Sequence, residues 1–227
     1  MSDLKKIYSQ MWAGSIDKYK NNICEIDPLI NDKTDMRRGI TILSYLDNSL
    51  GQQISHFLDV MKIIEPEQYY YPIKELHLTI LSIISCTTAF KLSNINVDDY
   101  SSIFKQAVKN IGTFKINFKG LTVSPSCILI QGFPEGKQLN QLRDALRAGF
   151  RKANLESTID LRYELVTAHT TAVRCQKPFK NSHDLMHLLS KYREHDFGTL
   201  EVNSLDLVFN NWYQNLSVTK KLSHSDL

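Results

Sequence analysis

Two short runs in this sequence pair a histidine with a threonine two residues on: His77-Leu78-Thr79-Ile80 and His169-Thr170-Thr171-Ala172. A neutral imidazole takes a proton and an imidazolium gives one, and unperturbed histidine titrates near ~6.5, where both forms coexist. Two histidines therefore suffice for a general acid and a general base. In a β-strand, side chains two apart share a face, so His77 and Thr79 project together while Leu76, Leu78 and Ile80 face the other way. The same parity pairs His169 with Thr171. It leaves Ala168, Thr170 and Ala172 as a back face of small residues able to admit a covering helix. One His-x-Thr in a strand is ordinary chance; the signal is its doubling, with the two copies nearly half the chain apart.

The elements that must hold these strands follow from periodicity. Leu4, Ile7, Tyr8, Met11, Trp12, Ile16 and Tyr19 recur at helical spacing and predict an amphipathic opening helix. A polar loop over residues 31–38 precedes a strand from Ile40 to Leu46. A helix follows with Ile54, Phe57, Leu58 and Met61 on one face, ending near Pro66. The first motif lies in an apolar strand from Leu76 to Ile84. A second amphipathic helix carries Tyr100, Ile103, Phe104, Ala107, Val108 and Ile111, with Gly112 placed as its C-terminal cap. Phe114, Ile116 and Phe118 alternate with Lys115, Asn117 and Lys119 as a half-buried strand, residues 127–130 continue the sheet, and Gly132 to Gly136 form a turn. Leu139, Leu142, Leu146 and Phe150 define the next helix. Its Arg143, Arg147 and Arg151 recur at four-residue steps and read as a solvated face. A strand from Leu161 to Val173 contains the second motif, a helix spans residues 182–194, and a strand region over residues 199–209 closes the pattern. This strand-helix succession, run through roughly twice with wet-faced strands, predicts an α+β protein of two similar lobes with antiparallel sheets.

The doubled H-x-T pattern, in this order of strands and helices, resembles the two-histidine (2H) phosphoesterase superfamily, which includes bacterial 2'-5' RNA ligase-like proteins and 2',3'-cyclic phosphodiesterases. The likeness covers Arg37 to Phe209 and leaves residues 1–36 as an N-terminal helical extension to a bilobal domain over residues 37–227. It implies two lobes of antiparallel sheet with outer helices and a central cleft, His77 and His169 facing one another across it. Thr79 and Thr171 then donate hydrogen bonds to the nonbridging oxygens of a phosphate. The implied activity is metal-independent hydrolysis of a nucleotide or RNA 2',3'-cyclic phosphate or 2'-5' linkage, with reversible RNA ligation as a related capacity and no cofactor. Where many relatives read H-x-T-L-A-R, this chain reads His169-Thr-Thr-Ala-Val-Arg174, so Arg174 is a candidate phosphate ligand, although an uninterrupted strand points it away from His169. Tyr71, from the tract Tyr69-Tyr70-Tyr71, is a candidate for stacking on a base.

Other readings compete. His183 and His187 stand one helical turn apart as in zinc sites, with Glu194 or His195 nearby. The apolar stripe Leu185, Leu188, Leu189 and Tyr192 puts them on the opposite, solvated side. A module that grips a nucleotide phosphate without turnover, or a hydrolase of cyclic oligonucleotide or cyclic ADP-ribose-type signals, would use the same cleft. In the 227 residues, 27 Lys and Arg oppose 24 Asp and Glu, for a net charge of +3, which excludes the strongly basic footprint of a duplex-DNA binder. No uncharged apolar run approaches the ~18 residues of a membrane span. The opening residues lack the apolar stretch of a signal peptide, so a cytoplasmic location is expected. The four cysteines show no C-x-x-C spacing and read as reduced, mostly buried thiols.

Overall fold

The computed structural model describes residues 3–227. Helix α1 (Asp3–Lys20) leads into strand β1 (Arg38–Tyr45), helix α2 (Asn48–Ile64) and the two-residue strand β2 (Tyr69–Tyr70). Strand β3 (His77–Thr87), helix α3 (Val97–Val108), strands β4 (Phe114–Ser124) and β5 (Cys127–Pro134) and helix α4 (Gln138–Ala153) follow. Strand β6 (Thr170–Arg174), helix α5 (Ser182–Lys191) and strands β7 (Asp196–Val202), β8 (Ser204–Asn211) and β9 (Lys220–Asp226) complete the chain. All strand pairings are antiparallel, in a four-stranded sheet of order β3-β1-β8-β9 and a five-stranded sheet of order β2-β6-β5-β4-β7. The fold is α+β, with helices packed outside two sheets and one motif strand in each.

Local chemistry sets several boundaries. Asp47 caps α2 by accepting from the Leu50 amide at 2.8 Å, and the helix buries Leu50, Ile54, Phe57, Leu58 and Met61. The buried Glu65 carboxylate after it accepts from the Lys180 and Asn181 amides just ahead of α5, where a helix N-terminus favours negative charge. Helix α4 ends in Asn154, whose φ of 53° is the left-handed cap geometry.

The lobes are not two successive halves of the chain. Strand β8 returns to lie beside β1, and β2 crosses to pair with β6, because the edge each strand joins is set by long-range ladder bonds that local pattern does not encode. The strand expected over residues 161–173 begins to pair only at Thr170. Its first part is loop, with Leu161, Tyr163 and Val166 exposed, since the β5 ladder ends at Ile130 opposite Thr170. The region 199–209 is two strands belonging to different sheets, divided at Asn203. Polar, largely exposed β9 carries none of the apolar alternation that would have announced it. Helix α3 stops at Val108 and is closed by the Lys109 amide on the Lys105 carbonyl, so Gly112 lies beyond its cap. Of the cysteines, Cys127 and Cys175 are buried and Cys24 and Cys86 partly so; all four are free thiols.

Candidate functional site

Strands β3 and β6 bring the two motifs to one cleft of about 220 Å³, lined by His77, Thr79, His169, Thr171, Arg174 and Tyr71 among others. Each strand reaches it through a break in simple alternation. Against β1, Leu81 pairs with Ile42 and Thr79 with Leu43, so Ile80 is an extra residue; Ile83 is another, between Ser82 opposite Thr41 and Ile84 opposite Ile40. Each bulge shifts side-chain parity by one. Hence Thr79, Ser82 and Ser85, three residues apart, all line the cleft, while Leu78, Ile80 and Ile83 are wholly buried behind.

The same device corrects the expectation for Arg174. Strand β6 pairs Thr171 with Leu129 but Val173 with Ile128, leaving Ala172 extra, and the Ala172 carbonyl accepts instead from the Tyr71 amide at 3.1 Å. After this bulge Arg174 returns to the His169 side. Its Nε donates to the Tyr71 hydroxyl at 2.8 Å and its Nη1 contacts Cys127 Sγ at 3.5 Å, with the guanidinium over the Tyr213 ring at 5.5 Å. Tyr71 itself is only 3% exposed and meets the His77 ring edge-on at 6.3 Å, so it packs under the histidine with no free face for a base.

His77 is buried, and its Nδ1 lies 2.7 Å from the Glu75 carbonyl. A carbonyl only accepts, so Nδ1 carries the proton and Nε2 is the nitrogen left for chemistry. His169 Nδ1 meets the Thr167 hydroxyl at 2.9 Å, a partner that fixes the ring but allows either tautomer. Burial lowers His77 to about 4; the Glu75 carbonyl bond opposes this and the Arg174 charge adds to it. His169 is lowered to about 4 as well, by desolvation first and then by the positive charge of Arg143, by His77 and by Arg174. Both rings are therefore neutral at pH 7, and a negative charge brought beside them would favour protonating one of them.

Sequence reasoning missed Arg143. It is 1% exposed, not solvated: Nε donates to the Ile80 carbonyl at 2.8 Å, and Nη2 donates to the carbonyls of Thr79 at 3.2 Å and Thr167 at 2.7 Å. It thus reaches the bulge of one motif strand and the approach to the other. Arg147 turns partly outward to pair with Asp160. Also unforeseen are Thr158, which receives the Ser85 amide, and Arg162, Trp212 and Gln214, which extend the cleft beyond the histidines, with the Arg162 guanidinium 5.3 Å from the Trp212 ring. No local spacing marks them, because they arrive from the loop after α4 and the turn after β8.

Behind the second motif, Tyr8 of α1 is wholly buried. Its hydroxyl donates to the Gly132 carbonyl at 3.1 Å and accepts from the amides of Ala168 at 3.1 Å and Gly132 at 3.3 Å. The opening helix packs chiefly on β4, where the Thr122 hydroxyl donates to the Tyr8 carbonyl, and reaches the second motif through the Tyr8 hydroxyl at Ala168. His183 and His187 lie exposed on α5, opposite its buried Leu185, Leu188 and Leu189, and His183 bonds to Asp184. Among the described residues no three His, Cys, Asp or Glu side chains are grouped to hold a metal ion, nor is any helix long and apolar enough to cross a membrane.

Comparison with solved structures places this fold among known ones. TT0787 of Thermus thermophilus is similar with a TM-score of 0.59 and 16% identity, over 83% of this chain and 97% of that one. A phosphoesterase is similar at 0.57 and 13% identity, over 84% and 98%. E. coli LigT, in complex with NADP+, is similar at 0.53 and 14% identity, over 84% and 98%. No curated protein sequence matches the chain. The model of the AKAP7 2'5' RNA ligase-like domain matches residues 44–215, from the end of β1 to just past β8 and including both motifs. With three-quarters of the sequence under that match and the fold in agreement, the chain belongs to the AKAP7 2'5' RNA ligase-like domain family, within the 2H phosphoesterase superfamily.

Proposed function

We propose that the protein hydrolyses a phosphodiester at the end of an RNA or within a nucleotide, a 2',3'-cyclic phosphate or a 2'-5' linkage, by metal-independent general acid-base catalysis. The observation that carries this reading is the convergence of His77, Thr79, His169 and Thr171 on one cleft. One neutral imidazole takes a proton from water as its oxygen bonds to phosphorus. The other, protonated when the anionic substrate arrives, gives its proton to the departing 2' or 3' oxygen as the P–O bond breaks. Thr79 and Thr171 hydroxyls, with Arg174, stabilise the charge growing on the nonbridging oxygens.

Desolvation of the buried His77 and the half-buried His169 supports the reading. A group held near 4 is a base at neutral pH, and the substrate's own charge then raises one of them into the range of an acid. Trp212 and Arg162, farther along the same cleft, offer a ring and a cation to a nucleotide. The LigT structures hold NADP+ and ATP, which favours a nucleotide over a simple phosphomonoester. The test is incubation with 2',3'-cyclic mononucleotides, 2'-5'-linked dinucleotides and cyclic dinucleotides in chelator. Turnover of the first or second class is expected. Turnover of cyclic dinucleotides alone would shift the substrate to a signalling nucleotide, and tight binding without turnover would make the cleft a binding module.

A further inference from the structure

We propose that Arg143 is a positioning residue of the cleft: by bonding carbonyls of both motif segments it sets the separation of the His77 and His169 imidazoles, and its charge biases which of them takes a proton. This rests on the two-histidine reading above. The two strands belong to different sheets, and β3 is the edge of its own. No ladder hydrogen bond joins β3 to β6. The Arg143 fork does join them, reaching Thr79 and Ile80 on one side and Thr167 on the other. Thr167 in turn holds the His169 ring through its hydroxyl, so the chain of contacts runs from one motif to the other imidazole without a gap.

A clamp of this kind needs donors but no net charge, and an unpaired buried charge is costly. Arg143 nevertheless keeps one. The carboxylates near it, Asp144 and Asp160, pair with Arg147, and its own Nη1 is buried without a hydrogen-bond partner among the described residues. The groups that face it are Tyr8 from α1, Arg147 from its own helix and Asp160 from the following loop. Facing His169 are Arg143, His77 and Arg174. Arg143 adds positive charge on the His169 side through the Thr167 carbonyl it holds, whereas the charge named against His77 is Arg174, with the Glu75 carbonyl bond opposing it. The contacts point the same way: Arg143 sits against the segment that holds His169, while the Glu75 carbonyl accepts from His77 Nδ1 and so favours a proton on that ring.

The test uses the full chain with Arg143→Met, which keeps volume and removes both fork and charge, and Arg143→Lys, which keeps the charge but cannot span three carbonyls. The ring titrations of His77 and His169 are followed by NMR, alone and with inorganic phosphate as probe, beside the pH profile of turnover. Arg143→Met is expected to raise the His169 midpoint by about one pH unit, since removing a nearby positive charge eases imidazolium formation, with little change at His77. The acid limb of the turnover profile should move with it, and turnover should fall about 10- to 100-fold as the rings lose register. Arg143→Lys should leave the His169 midpoint low yet still lose turnover about 10-fold, separating spacing from charge. A folded Arg143→Met with an unmoved His169 midpoint overturns the charge role, and wild-type turnover in Arg143→Lys overturns the spacing role. If Arg143→Met does not fold, the Arg143→Lys arm decides alone, and a raised His169 midpoint there counts against the proposal. Should the wild type cleave no phosphodiester, the hydrolase reading falls, while the titrations still judge Arg143.

Discussion

Replacing Tyr8 by Phe removes one oxygen from the structure and tests whether the opening helix is part of the catalytic framework. The ring would keep its place, edge-on to Phe133 at 5.5 Å. What disappears is the hydroxyl that accepts from the Ala168 and Gly132 amides and donates to the Gly132 carbonyl. These amides sit where the β5–β6 ladder has ended, so no strand partner replaces the lost acceptor. A buried donor left unsatisfied costs about 1–3 kcal/mol. Two such amides, partly relaxed by small backbone shifts, predict a loss of about 2–4 kcal/mol, or roughly 4–15 °C in melting temperature for a chain of this size. Because Ala168 immediately precedes His169, turnover of the phosphodiester at a temperature where the variant is fully folded should also fall, by about 10-fold. Calorimetry and urea unfolding measure the first effect, and steady-state kinetics the second. A Tyr8→Phe protein that melts within about 2 °C of wild type would show that the hydroxyl does not hold this junction, and the link from α1 to the motif would be withdrawn.

Three further outcomes are expected. His77→Ala or His169→Ala should each lower turnover by about 10² to 10⁴ with nucleotide binding much less affected, and the double variant should lose less than the product of the two; calorimetric binding beside kinetics checks both. Gly132→Ala places a Cβ 1.9 Å from the Ala168 carbonyl oxygen, so it should push the approach to His169 away, with lower stability in urea and lower turnover. Stability should be full above about pH 6.5 and decline as pH falls toward about 4, because the unfolded chain binds a proton there that folded His77 refuses. The worth of His77 is about 3 kcal/mol across that window. Urea titrations of wild type and His77→Gln at pH 7 and pH 4.5 measure it, and an equal loss in both proteins would contradict the assignment.

The paired motifs, the amphipathic helices and the α+β class were legible in the sequence, because each is written in neighbouring residues. Apolar side chains at helical spacing must face a core, as Ile54, Phe57, Leu58 and Met61 do, and two His-x-Thr runs in apolar strands need only strand parity to place histidine and threonine together. Tertiary structure decided what depends on a partner strand or a facing gap. Arg174 points to the cleft because β5 pairing forces Ala172 out of register, and Ser82 and Ser85 join Thr79 because pairing with β1 does the same to Ile80 and Ile83. Arg143 was indistinguishable in sequence from Arg147 and Arg151, since helical position fixes a side chain's angle around the axis and not what lies opposite it. What lay opposite were carbonyls from bulged β3 and from the approach to β6. Only folding, by setting two sheets beside one helix, made that arginine the one able to satisfy them.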